Sequence, residues 1–268
     1  MKRIGRGFKE EISVVLRDYR RVLCLALLVI CVSPAIGQEE EPAGGGENAS
    51  NPLASVTNTD LRMQYLDLAN DRGRVNDLFV DGAFMINPKL KIKYELHYWE
   101  TNVTGSSKSG FESAVVKVIY FPKEGIRDNG IKYRVAVGLD LIKDFDNLDK
   151  GIGMGADQIA PFAGIALALP SGMTVIPLVQ QFLSVSGEDV NITAARVIAL
   201  QPFPKQRWLK ADVIIPYDWE NDTIPAQFEL QYGVNVNQQV ALYVDGLVGL
   251  GHDRLFDWGV GVGLRFKY

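Results

Sequence analysis

Cysteine is scarce in this chain of 268 residues, and histidine equally so, at two each. Both cysteines, Cys24 and Cys31, fall in the first 31 residues, so the remainder can form neither a disulfide nor a thiolate metal site. The two histidines, His97 and His252, sit in no recognisable acid, base or nucleophile pattern. The longest apolar run near the N-terminus, Val22 to Val32, is too short for a helix crossing a bilayer, which needs about 20 residues. No later segment has a sustained helical period. Excess positive charge is missing too: the net charge is −4. The first 37 residues carry seven basic and three acidic side chains, so the rest of the chain is more acidic still. Nucleic acid is therefore a poor partner.

What is present begins with an export signal. Basic residues from Lys2 to Arg21 precede the apolar run, and Ala35, Ile36 and Gly37 supply a small-residue cleavage site. Residues 1–37 are expected to be a cleaved signal peptide. Residues 38–54 (QEEEPAGGGENASNPLA) lack periodicity and are expected to be a disordered periplasmic tether.

From about Thr57 every segment reads with period two, the alternation of a strand with unlike faces. The last residues, 256–268 (FDWGVGVGLRFKY), show it most clearly. Phe256, Trp258, Val260, Val262, Leu264, Phe266 and Tyr268 alternate with Asp257, three glycines, Arg265 and Lys267. Residues 90–98, 131–141 and 226–236 alternate as cleanly, and eight less regular runs bring the count to twelve. An even number of strands about 10 to 13 residues long suits oblique bilayer crossing. The connections sort by parity. One set is short and proline-rich, with a turn placed at Pro122 to Gly130; the other is longer and mostly acidic. The expected fold is all-β: residues 55–268 as one antiparallel up-and-down transmembrane β-barrel of about twelve strands. The expected location is the bacterial outer membrane, with membrane lipid as the surrounding partner. The ending, closing on the aromatic Tyr268, resembles the final strand of bacterial outer-membrane barrels, and that resemblance implies engagement by the barrel-assembly machinery.

Aromatic residues near strand ends suggest two girdles at the headgroup levels. Tyr98, Trp99, Tyr217, Trp219, Phe256 and Trp258 would form the outer one; Tyr120, Phe121, Trp208, Phe266 and Tyr268 the inner. If the apolar positions face lipid, their alternates line the lumen, because charge in hydrocarbon is costly. These are Lys91, Lys93, Glu95 and His97; Lys132, Arg134 and Asp140; Lys210 and Asp212; Gln227, Glu229 and Gln231; and Asp245 and Arg265. On this basis Leu264→Arg should disturb assembly and Arg265→Gln should not. Both charge signs are present, so no ion selectivity follows.

No catalytic, cofactor-binding or metal-binding residue is expected. Outer-membrane phospholipases also use twelve strands, but their closely spaced His-x-Asn and Ser elements are missing. The glycines 151, 153 and 155 suggest half a dinucleotide fingerprint with no helix behind it, hence a loop. Asp144, Asp146 and Asp149 could attract a divalent cation, although Leu148 breaks calcium-loop spacing and a solvated acidic loop accounts for them as well.

The Asn51-Pro52-Leu53 opening, the 160–164 (APFAG) to 169–172 (LPSG) hairpin and the 261–268 ending resemble the family of outer-membrane transporters associated with the meta-cleavage pathway of phenol degradation. The resemblance spans about residues 51–268. It implies a barrel passing small hydrophobic or aromatic solutes and carries over no binding residues. Three functions stay open: a passive channel or transporter for small solutes, a closed barrel with an anchoring role, and a secreted soluble β-sandwich that binds a ligand. No cofactor is called for by any of them.

Overall fold

The computed structural model describes residues 48–268. The expected signal peptide, 1–37, and most of the expected tether, 38–47, lie outside the described residues. Twelve strands run in order: β1 (Asn58–Leu68), β2 (Arg74–Asn87), β3 (Leu90–Thr101), β4 (Lys108–Ile126), β5 (Lys132–Asp144), β6 (Ala156–Ala168), β7 (Thr174–Gly187), β8 (Asn191–Phe203), β9 (Arg207–Asp218), β10 (Ala226–Asn235), β11 (Val240–Leu250) and β12 (Phe256–Lys267). Each pairs antiparallel with its sequence neighbours, and β1 pairs with β12 to close the barrel. Closure leaves no sheet edge, so every strand's backbone groups can find partners without water.

The period-two pattern predicted this because paired residues share a face, and bulges such as those between Met85 and Asn87 or Leu96 and Tyr98 interrupt the register only locally. Leu264 lies opposite Leu61 and Leu242, whereas Arg265 lies opposite Asp60 and Ala241. A one-residue slip would exchange the two faces along a whole strand. Apolar side chains alternate on the outer face and stay substantially exposed there, Val116 at 45%, Val244 at 55% and Val260 at 51%. The opposite face holds the buried charges.

The five connections at one end, 88–89, 127–131, 169–173, 204–206 and 236–239, are short. This turn end also receives residues 48–57 ahead of β1. The six at the loop end run up to the 145–155 segment. The turn expected from Pro122 to Gly130 is smaller than predicted, because β4 continues past the proline to Ile126. Proline has no N–H for the ladder, and the register shifts between Tyr120 and Lys123 to accommodate it.

The aromatic girdles need correction. Tyr98, Trp219, Tyr120, Phe266 and Tyr268 are exposed, but Trp208 (1%), Phe121 and Phe256 are buried. Trp99 shares the inward face of β3 with His97. Adjacent aromatic residues such as Tyr98 and Trp99, or Tyr120 and Phe121, must point to opposite faces, so proximity to a strand end does not place both in lipid. The inward rings lie across glycines of neighbouring strands: Trp208 against Gly233, Tyr243 against Gly263, Phe162 against Gly138. A side chain at any of these glycines would occupy the space of the ring, which gives the alternating glycines of β12 part of their reason.

Candidate functional site: the barrel interior

Every residue expected to line the lumen lies on the inward face by strand register. Lys91, Asp140, Lys210, Asp212, Gln231, Asp245 and Arg265 are buried. Lys93, Glu95, His97, Arg134, Gln227 and Glu229 are half-buried, and Lys132 is exposed at the turn end of β5. Strands with less regular alternation add Asp60, Arg62, Asp77, Lys117, Gln180, Arg196 and Tyr243, which the sequence reading missed. Their signal was the same parity, obscured by small or apolar inward neighbours such as Ala194 and Ile198.

These side chains form a belt of ion pairs. Arg265 grips Asp60 with Nε and Nη2 at 2.9 and 2.6 Å, and Tyr243 donates to the same carboxylate at 2.8 Å. Arg62 reaches Asp245 at 3.0 Å while its guanidinium lies 4.7 Å from the ring centre of Phe79. Arg196 and Lys210 flank Asp212, and Lys210 also meets Glu229 at 2.6 Å. Across the bore, Lys117 pairs with Asp140 at 2.8 Å and Gln180 donates to that carboxylate. His97 stacks on Phe79, with Asp77 2.8 Å from Nδ1 and Glu95 3.8 Å from Nε2. Such groups persist in a barrel because each charge meets an opposite one or a hydrogen-bond donor. Single atoms are exceptions. Among the described residues Asp77 Oδ1, Asp81 Oδ1, Asp140 Oδ1, Arg62 Nε and Trp99 Nε1, on β1 to β5, accept or donate no hydrogen bond, and neither does Glu229 Oε1 on β10, which has only the ion pair with Lys210.

Residues 48–54, expected to end a disordered tether, are ordered inside the barrel. The Asn48 and Asn51 side chains cap two successive turns, accepting from the backbone N–H of Ser50 and Leu53 at 2.8 Å each. The Ala54 N–H closes the second turn onto the Asn51 carbonyl at 3.0 Å. This compact coil crosses the bore at the turn end. On one side the Ser50 hydroxyl donates to Gln231 of β10 and accepts from Arg265 of β12. On the other, Lys91 of β3 donates to the carbonyls of Pro52 (3.2 Å) and Ala54 (2.6 Å). Arg134 of β5 donates to the Leu53 carbonyl and the Ser55 hydroxyl. Leu53, 2% exposed, seats among Ile119, Phe121, Ala136, Ala166, Ile176 and Ile198 of β4 to β8. Burying one leucine side chain is worth about 1.5–3 kcal/mol.

At the loop end a cavity of about 520 Å³ is lined by Asn70, Arg72, Met154, Asp218, His252 and Arg254 among others. The acidic 145–155 loop is stapled internally: buried Asp144 accepts from the Asp146 amide with Oδ1 and from the Met154 and Gly155 amides with Oδ2. Gly151, Gly153 and Gly155 all take positive φ there, which is the backbone reason for that glycine run. Among the described residues no group of three histidine or carboxylate side chains is arranged to hold a metal ion.

No protein-family model and no curated protein sequence matches the chain. Solved structures do. The NanC porin superposes with a TM-score of 0.61 at 10% identity, over 78% of this chain and 100% of that one. An outer-membrane channel from Pseudomonas putida F1 gives 0.59 at 8% identity, over 88% and 100%. The KdgM porin gives 0.54 at 9% identity, over 79% and 99%. At these identities the likeness shows a shared fold, the closed β-barrel described above.

Proposed function

We propose that the chain is a bacterial outer-membrane channel that passes small solutes passively, with its turn end in the periplasm and residues 48–55 stoppering the lumen there. One observation carries it: a closed barrel whose exposed outer face is apolar and whose inner face carries a belt of ion pairs. That distribution suits lipid outside and polar traffic within. The porin neighbours support a channel, and the resemblance to the phenol-pathway transporters supplies hydrophobic or aromatic molecules as the solute class. Insertion through the barrel-assembly machinery by way of β12 and Tyr268 belongs to the same proposal.

The segment crossing the bore favours a second function, a permanently closed barrel with an anchoring role. Planar-bilayer recording separates the two. The channel predicts discrete conductance steps from the purified chain, larger and more frequent once Leu53→Lys places a charge in the apolar seat. Silence from both proteins at high concentration would leave the closed barrel. Liposome swelling with charged, sugar and aromatic solutes then defines what passes.

A further inference from the structure

The way residues 50–55 sit in the lumen describes a binding site for something other than themselves. Leu53 contributes a compact apolar group to a pocket of six apolar side chains. Directly beside it, backbone oxygens are held by two cations. Lys91 Nζ takes the carbonyls of Pro52 and Ala54, and Arg134 Nη1 takes the Leu53 carbonyl and the Ser55 hydroxyl. The guanidinium of Arg134 is fixed at the rim of the pocket. It lies 5.0 Å over the ring of Phe121, a pocket wall, and its Nε donates to Glu124 on the turn-end extension of β4. Lys91 is buried at the same place. The segment thus presents an apolar body with oxygens at one edge, and the barrel meets it with an apolar slot edged by positive charge.

We propose that this seat, once residues 48–55 withdraw, binds small amphipathic carboxylates, an aromatic or short aliphatic body carrying one carboxylate, and that the segment occupies it as an internal competitor. A carboxylate in place of the carbonyls turns neutral hydrogen bonds from Lys91 and Arg134 into charge-assisted ones, which are shorter and stronger. Arginine's planar fork suits a carboxylate better than it suits a single carbonyl. An organic cation is opposed by both side chains, and an uncharged alcohol gains only the apolar half. As an account of what passes through the barrel this rests on the channel proposed above; as an account of binding it stands on the pocket alone.

Equilibrium dialysis of benzoate against the detergent-folded full chain tests it. Each protein is first checked for the folded barrel by heat-modifiable gel mobility. Leu53→Lys, repelled by Lys91 and Arg134 and unsuited to the apolar seat, should bind benzoate at least about tenfold more tightly than the unaltered chain. Leu53→Gly serves the same purpose if the lysine variant does not fold. Adding Arg134→Gln to either should weaken benzoate binding about tenfold while changing benzyl alcohol binding less than twofold. Benzylammonium should bind worst. Equal benzoate binding with and without the Leu53 substitution overturns the site, as does equal affinity for the alcohol and the carboxylate. Bilayer recording on the same proteins reports separately on the channel: benzoate binding without conductance would refute passage and leave the site standing.

Discussion

The two walls of the lumen at its turn end are built differently, and they hold the same segment by different means. The wall from β9 round to β3 is an ion-pair lattice, in which Arg265, Asp60, Tyr243, Gln231 and Ser50 share hydrogen bonds. The wall from β4 to β8 is a bed of isoleucine, alanine and phenylalanine under Leu53. The contrast teaches where each kind of wall is fragile. A charged lattice fails by leaving a charge alone, whereas an apolar bed fails by leaving a hole.

The largest effect should come from the lattice. Asp60→Ala strands Arg265 in the interior, and breaking a buried pair costs about 3–5 kcal/mol. Equilibrium urea unfolding in lipid vesicles measures it. Arg265→Gln takes the cation from Asp60, which is 0% exposed but keeps donors in Tyr243 and Asn58, so a smaller loss of stability is expected beside the intact assembly that the sequence predicts for this variant. Second comes a test of inside against outside at the neighbouring residue. Leu264→Arg, on the lipid face opposite Leu61 and Leu242, should cost about 2–4 kcal/mol in the same assay if it lies near the bilayer midplane. Near the interface the cost falls to about 0–1 kcal/mol, so the same substitution at Val262, further into β12, is measured beside it, and a change under about 0.5 kcal/mol at both would contradict the facing of β12. Third, Ile176→Val in the apolar bed should cost only about 0.5–1.5 kcal/mol, and the lost methylene should loosen Leu53 rather than the barrel. Conductance steps becoming more frequent without a change in step size would show that selectivity. Smallest is Arg254→Ala at the loop end, whose pair with Asp257 is more than a third exposed; its unfolding free energy should move by less than about 1 kcal/mol.

The fold was legible because one short-range signal, period two, repeats on every strand and needs no knowledge of partners. Parity also placed the lumen residues on strands such as 90–98, where no exception interrupts it. What misled was position along the strand: Phe121 and Trp208 lie near strand ends and were assigned to the inner girdle for that reason, although their parity with Ile119 and with Lys210 already turned them inward. The stopper was illegible for another reason. Residues 48–54 have no period, and the groups that order them lie far along the chain, 37 residues away for Lys91 to Ala54 and 215 for Arg265 to Ser50. Only the asparagines that start its two turns and the solitary Leu53 distinguished it from the acidic, glycine-rich stretch before it.

Thiol labelling in native outer-membrane vesicles addresses the stoppered lumen most directly. With Cys24 and Cys31 changed to serine, a cysteine replacing Leu53 is compared with one replacing exposed Ser106 in the 102–107 loop. A segment seated by about 1.5–3 kcal/mol of apolar burial must leave its pocket before a water-soluble reagent reaches position 53. The expected result is labelling at position 53 at least about tenfold slower than at position 106, with the difference abolished by denaturing the barrel. Equal rates at the two positions in the folded protein would contradict a segment lodged inside the barrel.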